Sequence, residues 1–157
     1  MRAVLDTNVL VRSSKNATGP ARECFLSFES DQHILLISQY LLAELARVMT
    51  YPRVMAQHKL SPEEIREFLQ AVETVGELVE TPQDEMPAVV SADPDDDPIV
   101  QLAVLGHAEV LCTLDRHIRS DSVKAHCQTF GIRVLTDVEL LSLLRQSQST
   151  PEEQGSD

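Results

Sequence analysis

The chain is poor in positive charge. Against 25 Asp and Glu it carries only 13 Lys and Arg, a formal net charge of -12. A surface this acidic does not invite nucleic acid, because phosphate binding rests mainly on Lys and Arg. A nucleic-acid enzyme fits the composition under one condition. Some carboxylates must be gathered where divalent cations offset them and bridge to phosphate. Aromatic residues are also scarce, at 4% with no tryptophan, so base stacking does not dominate the choice of any nucleic-acid substrate. No apolar run approaches the ~20 residues that span a bilayer. The opening MRAVLDTNVL is interrupted by Asp6 and followed by no small-residue cleavage site, which argues against a signal peptide. Cys24, Cys112 and Cys127 have no CxxC spacing and read as reduced thiols of a cytoplasmic protein. The five histidines form no HxH or HxxxH pair, which disfavours zinc.

The 157 residues suffice for one domain with a real core. Short apolar runs punctuate the chain: RAVLD (2–6), HILLIS (33–38) and EVLCTLD (109–115) read as buried strands, GELVE (76–80) as a short third strand and IRVL (132–135) as a final one. Helical periodicity separates them. Ser38 is placed to cap QYLLAELARVMT, whose stripe is Leu41, Leu42, Leu45, Val48 and Met49. Ser61-Pro-Glu-Glu64 and Thr136-Asp-Val-Glu139 are capping boxes. IVQLAVLG reads as a helix closed by Gly106, and Val123 to Phe130 as another. Residues 82–87 read as a loop, and the last residues, 146–157, as a disordered tail. Strands alternating with helices, with no internal repeat, predict a single three-layer α/β/α domain on a parallel central sheet. Ligands of such sheets bind beyond the carboxyl ends of the strands.

Acids cluster in that region of the expected fold. Asp6 ends the first strand, Glu44 lies beside the apolar stripe of the helix after the second, and Asp115 ends a later strand. Asp93, Asp95, Asp96 and Asp97 crowd the entry to a further helix. Each has an ordinary alternative as a helix cap, a turn residue or a solvated charge. Converging carboxylates without His or Cys favour Mg²⁺ or Mn²⁺ over zinc.

These blocks resemble PIN-domain ribonucleases, particularly the small bacterial branch linked to toxin–antitoxin pairs. VLDTNVLV (4–11), SQYLLAELARVMTYPRV (38–54), DPDDDPIVQLA (93–103) and AEVLCTLDRHI (108–118) are similar to the family's four motifs, in order, over residues 1 to about 145. The resemblance implies a Mg²⁺- or Mn²⁺-dependent endoribonuclease whose metal-holding and catalytic acids are Asp6, Glu44, Asp96 and Asp115. Asp96 is chosen in its block because related acids precede the small residue of their helix, here Ala103, by seven positions. Asp93 then shapes or caps the turn, Asp97 is an alternate ligand, and Asp95 falls where the family varies. Thr7, Asn8 and Thr113 are placed to support the acids. Arg12, Lys15, Arg47, Arg116 and Arg119 follow the acidic motifs and are candidates for positioning an RNA backbone. Leu114 departs from the small residue usual before the fourth acid. The implied partners are single-stranded or structured RNA, an antitoxin protein and a second copy in a homodimer, with Tyr40 to Met55 a candidate contact surface. Two other readings stay open from the residues alone. One is a protein-binding module with weak or no catalysis. The other is a phosphatase of the haloacid dehalogenase type, which needs DxD where this chain has Asp6-Thr-Asn.

Overall fold

Apolar runs that are continuous rather than alternating form strands covered on both faces. Ala3, Val4 and Leu5 of one run and Leu35, Leu36 and Ile37 of another are at most 1% exposed. The computed structural model of the chain describes residues 1–84 and 97–149. Its strands are β1 (Arg2–Leu5), β2 (Ile34–Ile37), β3 (Gly76–Leu78), β4 (Val110–Cys112) and β5 (Arg133–Leu135). They form one parallel sheet in the order β3-β2-β1-β4-β5.

Helices α1 (Thr7–Arg12) and α2 (Pro20–Ser27) join β1 to β2; α3 (Gln39–Val48), α4 (Pro52–His58) and α5 (Pro62–Val75) join β2 to β3. Helix α6 (Pro98–Leu105) precedes β4, α7 (Asp121–Thr129) joins β4 to β5, and α8 (Asp137–Gln148) follows the sheet. The connections β1→β2→β3 step one way across the sheet and β4→β5 steps back. Right-handed crossovers therefore put their helices on opposite faces, giving three layers. Helix α8 packs along α2, where Cys24 Sγ donates to the Asp137 carbonyl at 3.4 Å. All three cysteines are buried and free, and burial pushes Cys24 up to about 12, so it is no nucleophile at neutral pH.

Local chemistry sets the helix starts. Ser38 Oγ accepts from Leu41 N at 3.1 Å, and both capping boxes, Ser61 with Glu64 and Thr136 with Glu139, are formed. Gly106 sits at the end of α6 with an ordinary φ of -81°, so conformational freedom does not explain it. Space does: a Cβ there would lie 2.8 Å from Leu36 Cδ1 and 2.9 Å from the Leu102 carbonyl oxygen.

Three sequence expectations need correcting. Strand β4 stops at Cys112 rather than reaching Asp115, because Thr113 Oγ1 accepts from Asp115 N at 3.0 Å and turns the chain out of the ladder. Helix α4 has no counterpart in the sequence reading; it is a short helix with no buried residue and Pro52 in its first turn. Helix α8 continues to Gln148, into the segment read as tail. Residues 85–96, which include the end of the expected 82–87 loop, and residues 150–157 of that tail lie outside the described residues. In the segment from Tyr40 to Met55 only Leu41, Leu45 and Met49 are buried, and Thr50 to Arg53 are exposed. Among the described residues, no helix is long and apolar enough to cross a membrane.

Candidate functional site

In this strand order the topology reverses between β1 and β4, which leaves a crevice beyond their carboxyl ends. Asp6 stands at that point. It is the N-cap of α1, and its Oδ1 accepts from Thr7 N at 2.7 Å. Its Oδ2 accepts from Thr113 Oγ1, also at 2.7 Å, across the gap from the end of β4. The backbone joins the same two strands, since Asp6 N donates to the Cys112 carbonyl at 2.9 Å. Asp6 is only 8% exposed and Thr113 is fully buried.

The other acids reach Asp6 through hydroxyls and through space. Thr7 Oγ1 donates to Glu44 Oε2 at 2.6 Å, tying α3 to the start of α1. Thr113 Oγ1, besides donating to Asp6, accepts from the backbone of Asp115. Asp115 is exposed, and its Oδ1 accepts from His117 N at 2.8 Å. Burial raises the Asp6 carboxyl from 3.8 to about 6, with Glu44 and Asp115 pushing the same way; the bonds from Thr113 and Thr7 pull it down. Nearby, burial first and the charge of Glu44 second raise the Tyr40 phenol.

Asn8 serves neither Asp6 nor Glu44. Its Oδ1 accepts from Leu114 N at 3.3 Å, which pins the turn where the sequence departs from the usual small residue. The Leu114 side chain packs against the core. Arg119 backs the same turn, its Nη2 donating to the Leu114 carbonyl at 3.4 Å and its backbone N–H to the Asp115 carbonyl at 3.0 Å. Neither contact of Asn8 or Arg119 leaves a signal in sequence spacing. Arg12, Arg47 and Arg116 are exposed, and exposed Lys15 lies 3.9 Å from Glu67. Asp97 is the N-cap of α6, accepting from Ile99 N at 3.0 Å. Asp93, Asp95 and Asp96 lie outside the described residues.

The sequence profile of one family, described as PIN domain, matches residues 2–117. The chain belongs to the PIN-domain family. The match includes Asp6, Glu44 and Asp115 and ends before α7, short of the reach to about residue 145 that the motifs suggest. No curated protein and no solved structure matches. A PIN domain is a nuclease-type fold, and the five-stranded parallel sheet agrees with it.

Does the PIN-domain site suit a divalent cation? Among the described residues, no three His, Cys, Asp or Glu side chains come together closely enough to hold an ion. Glu44 and Asp115 nevertheless raise the cost of charging the buried Asp6 carboxyl. None of the three has a cationic partner among the described residues. An all-oxygen, uncompensated acid set is what a hard divalent cation takes.

The shared hydroxyl of Thr113 can be tested directly. Thr113→Val keeps the shape but strips one hydrogen bond from Asp6 and the acceptor from Asp115 N. Leaving buried polar groups unpaired costs about 1–3 kcal/mol, and the loosened acids should cost 10–100-fold in activity, roughly the range for groups that orient metal ligands. Because the Thr113 bond holds Asp6 down, its loss raises that carboxyl further. The acid limb of the pH–rate profile should move to higher pH. Unchanged melting and an unchanged limb would refute this role.

Proposed function

We propose that this PIN domain is a metal-dependent endoribonuclease that hydrolyses RNA phosphodiester bonds. The observation that carries the reading is Asp6, a buried carboxylate fixed between β1 and β4 at the topological switch point with Glu44 and Asp115 close by. Asp6, Glu44, Asp115 and, from its motif position, Asp96 would hold Mg²⁺ or Mn²⁺. Such an ion, when bound, supplies Lewis acidity toward water and phosphate oxygen.

The remaining roles belong to the chain. Thr113 and Thr7 N–H fix both oxygens of Asp6, so the carboxylate meets its ligand without reorganising. Thr7 Oγ1 holds Glu44 Oε2 and leaves Oε1 without a partner among the described residues. Asn8 and Arg119 set the turn that carries Asp115. Arg12, Lys15, Arg47 and Arg116 are cations for the RNA backbone on an otherwise acidic surface.

Purified protein is expected to cleave single-stranded RNA with Mn²⁺ or Mg²⁺ and to lose the activity in EDTA, regaining it on adding excess Mn²⁺. Cleavage that persists in EDTA would sink the assignment. A phosphomonoester assay separates this reading from a phosphatase.

A role as the toxin of a toxin–antitoxin pair fits the same chemistry. Its antitoxin would carry basic segments matching the net charge of -12. A small reading frame beside the gene, whose product co-purifies with this chain and blocks cleavage, is the observation to seek. A homodimer is also proposed.

A further inference from the structure

At the end of α1 away from Asp6 lies a polar cavity of about 280 Å³, none of whose walls is an acid of the proposed metal site. It opens between the loop after α1, the start of α2, the end of α4 and the start of α8. That volume exceeds a few waters at about 30 Å³ each and is far too small for a helix or a folded partner. Its walls are set by two buried polar side chains. Asp137, 8% exposed, uses Oδ1 to accept from Val138 N at 2.9 Å, and its Oδ2 has no partner among the described residues. Ser14, 3% exposed, has a hydroxyl that likewise bonds nothing among them. Both residues line the cavity, so the hydrogen-bonding capacity left on them faces whatever enters it.

The other walls narrow the ligand's chemistry. Both nitrogens of His58 are committed, Nε2 to the Met49 carbonyl and Nδ1 to Leu60 N, each at 2.9 Å. Its ring therefore contributes flat carbon surface to the cavity and no further hydrogen bond. Asn16 and Gln57, both exposed, bring amide groups to the rim, and Arg12 brings a cation. A buried carboxylate with a free oxygen repels phosphate and asks for N–H donors. Among the RNA bases only guanine offers two adjacent donors, N1–H and the N2 amino group, to one carboxylate. Uracil flanks its single N–H with two carbonyls, while adenine and cytosine set a ring acceptor beside their amino group.

We propose that this cavity seats one guanine base of the RNA, next to the phosphate held at the acids. Asp137 takes the Watson–Crick donors, Asn16 and Gln57 reach the remaining edge, and Arg12 meets the adjoining phosphate. The span agrees. Helix α1 begins at Asp6 and delivers Arg12 after six residues, a rise of about 9 Å, within reach of a nucleotide or two. The inference rests on the ribonuclease reading for its biological sense, but the binding site stands on the cavity itself.

The test is a titration of the metal-free wild-type protein with GMP, AMP, CMP, UMP and inorganic phosphate, followed by backbone amide NMR. GMP should shift Ser14, Gln57 and Val138 and bind at least about tenfold more tightly than the other three, as sites built around buried polar groups do. Gln57→Ala, an exposed change that spares the fold, and Asp137→Asn should both weaken it. Equal binding of all four nucleotides, shifts confined to other surfaces, or an equal response to phosphate would each overturn the proposal. RNA cleavage mapped in parallel separates the two readings. Guanine binding without any cleavage leaves the cavity and removes the nuclease; cleavage with no guanine response does the reverse.

Discussion

Asp6→Asn is expected to remove metal-dependent RNA cleavage, by on the order of a thousandfold, while making the metal-free protein more stable at neutral pH. The second half follows from burial. The Asp6 carboxyl sits at about 6 in the folded chain against 3.8 as its ordinary value, so the native state binds the proton more tightly than the unfolded one. For a carboxylate displaced upward, the cost of ionisation is fully present above about 6, shrinks as pH falls, and is gone below 3.8. Stability of the wild type should therefore rise from pH 7 to pH 4 relative to the Asn variant, by on the order of 2–3 kcal/mol. At pH 7 the variant is the more stable protein, since its neutral amide can still pair with Thr7 N–H and Thr113. Added Mg²⁺ or Mn²⁺ should reverse the order, because ligand binding stabilises only the form that binds it. Thermal melts of both proteins at pH 4, 5, 6 and 7, with and without metal, give the answer. A variant less stable than wild type at every pH would show that Asp6 serves the fold first.

The second large effect is expected inside the acidic run. Asp96→Asn should abolish cleavage as thoroughly as Asp6→Asn, while Asp95→Asn should leave it nearly intact. Asp97 supplies the internal control. Its Oδ1 caps α6 through Ile99 N, so Asp97→Ala should cost about 1 kcal/mol of stability. Asp97→Asn keeps a capping oxygen and should spare stability. If Asp97→Asn instead abolishes cleavage while Asp96→Asn does not, the third ligand is Asp97 and the motif alignment is one residue out. Rates with Mn²⁺, measured alongside melting temperatures, distinguish all four variants.

The sequence makes the fold legible where local chemistry agrees with packing. Runs such as AVL and ILLI, the Ser38 cap and both capping boxes each carry their own signal, and the structure contains all of them. Helix α4 has no such signal. None of its side chains is buried, so no apolar stripe announces it. The end of β4 was illegible for a different reason. Thr113 has strand propensity, yet its hydroxyl closes a turn that only the neighbouring Asp6 makes worthwhile. In the candidate site, residue types announced Asp6, Glu44 and Asp115, because acids beside apolar runs are conspicuous. Asn8 and Arg119 were harder, since both act on the backbone of residues more than a turn away. Asp137 was hidden in plain view, because an acid in the first turn of a helix is ordinary chemistry. Its burial is a property of α2 and α8 together, which no local pattern records.

The bond between Thr113 and Asp6 joins groups 107 residues apart. A growing polypeptide that ends before Thr113 lacks the hydroxyl, the β4 strand beside β1, and Asp115. Asp6 then has no second wall to sit against, however well the first half is ordered. Contacts of such long sequence separation form late, because the intervening chain must be closed first. During synthesis this edge of the sheet is assembled only after most of the protein has left the ribosome, so the ribonuclease proposed above would be delayed from attacking the RNA that surrounds its own birth.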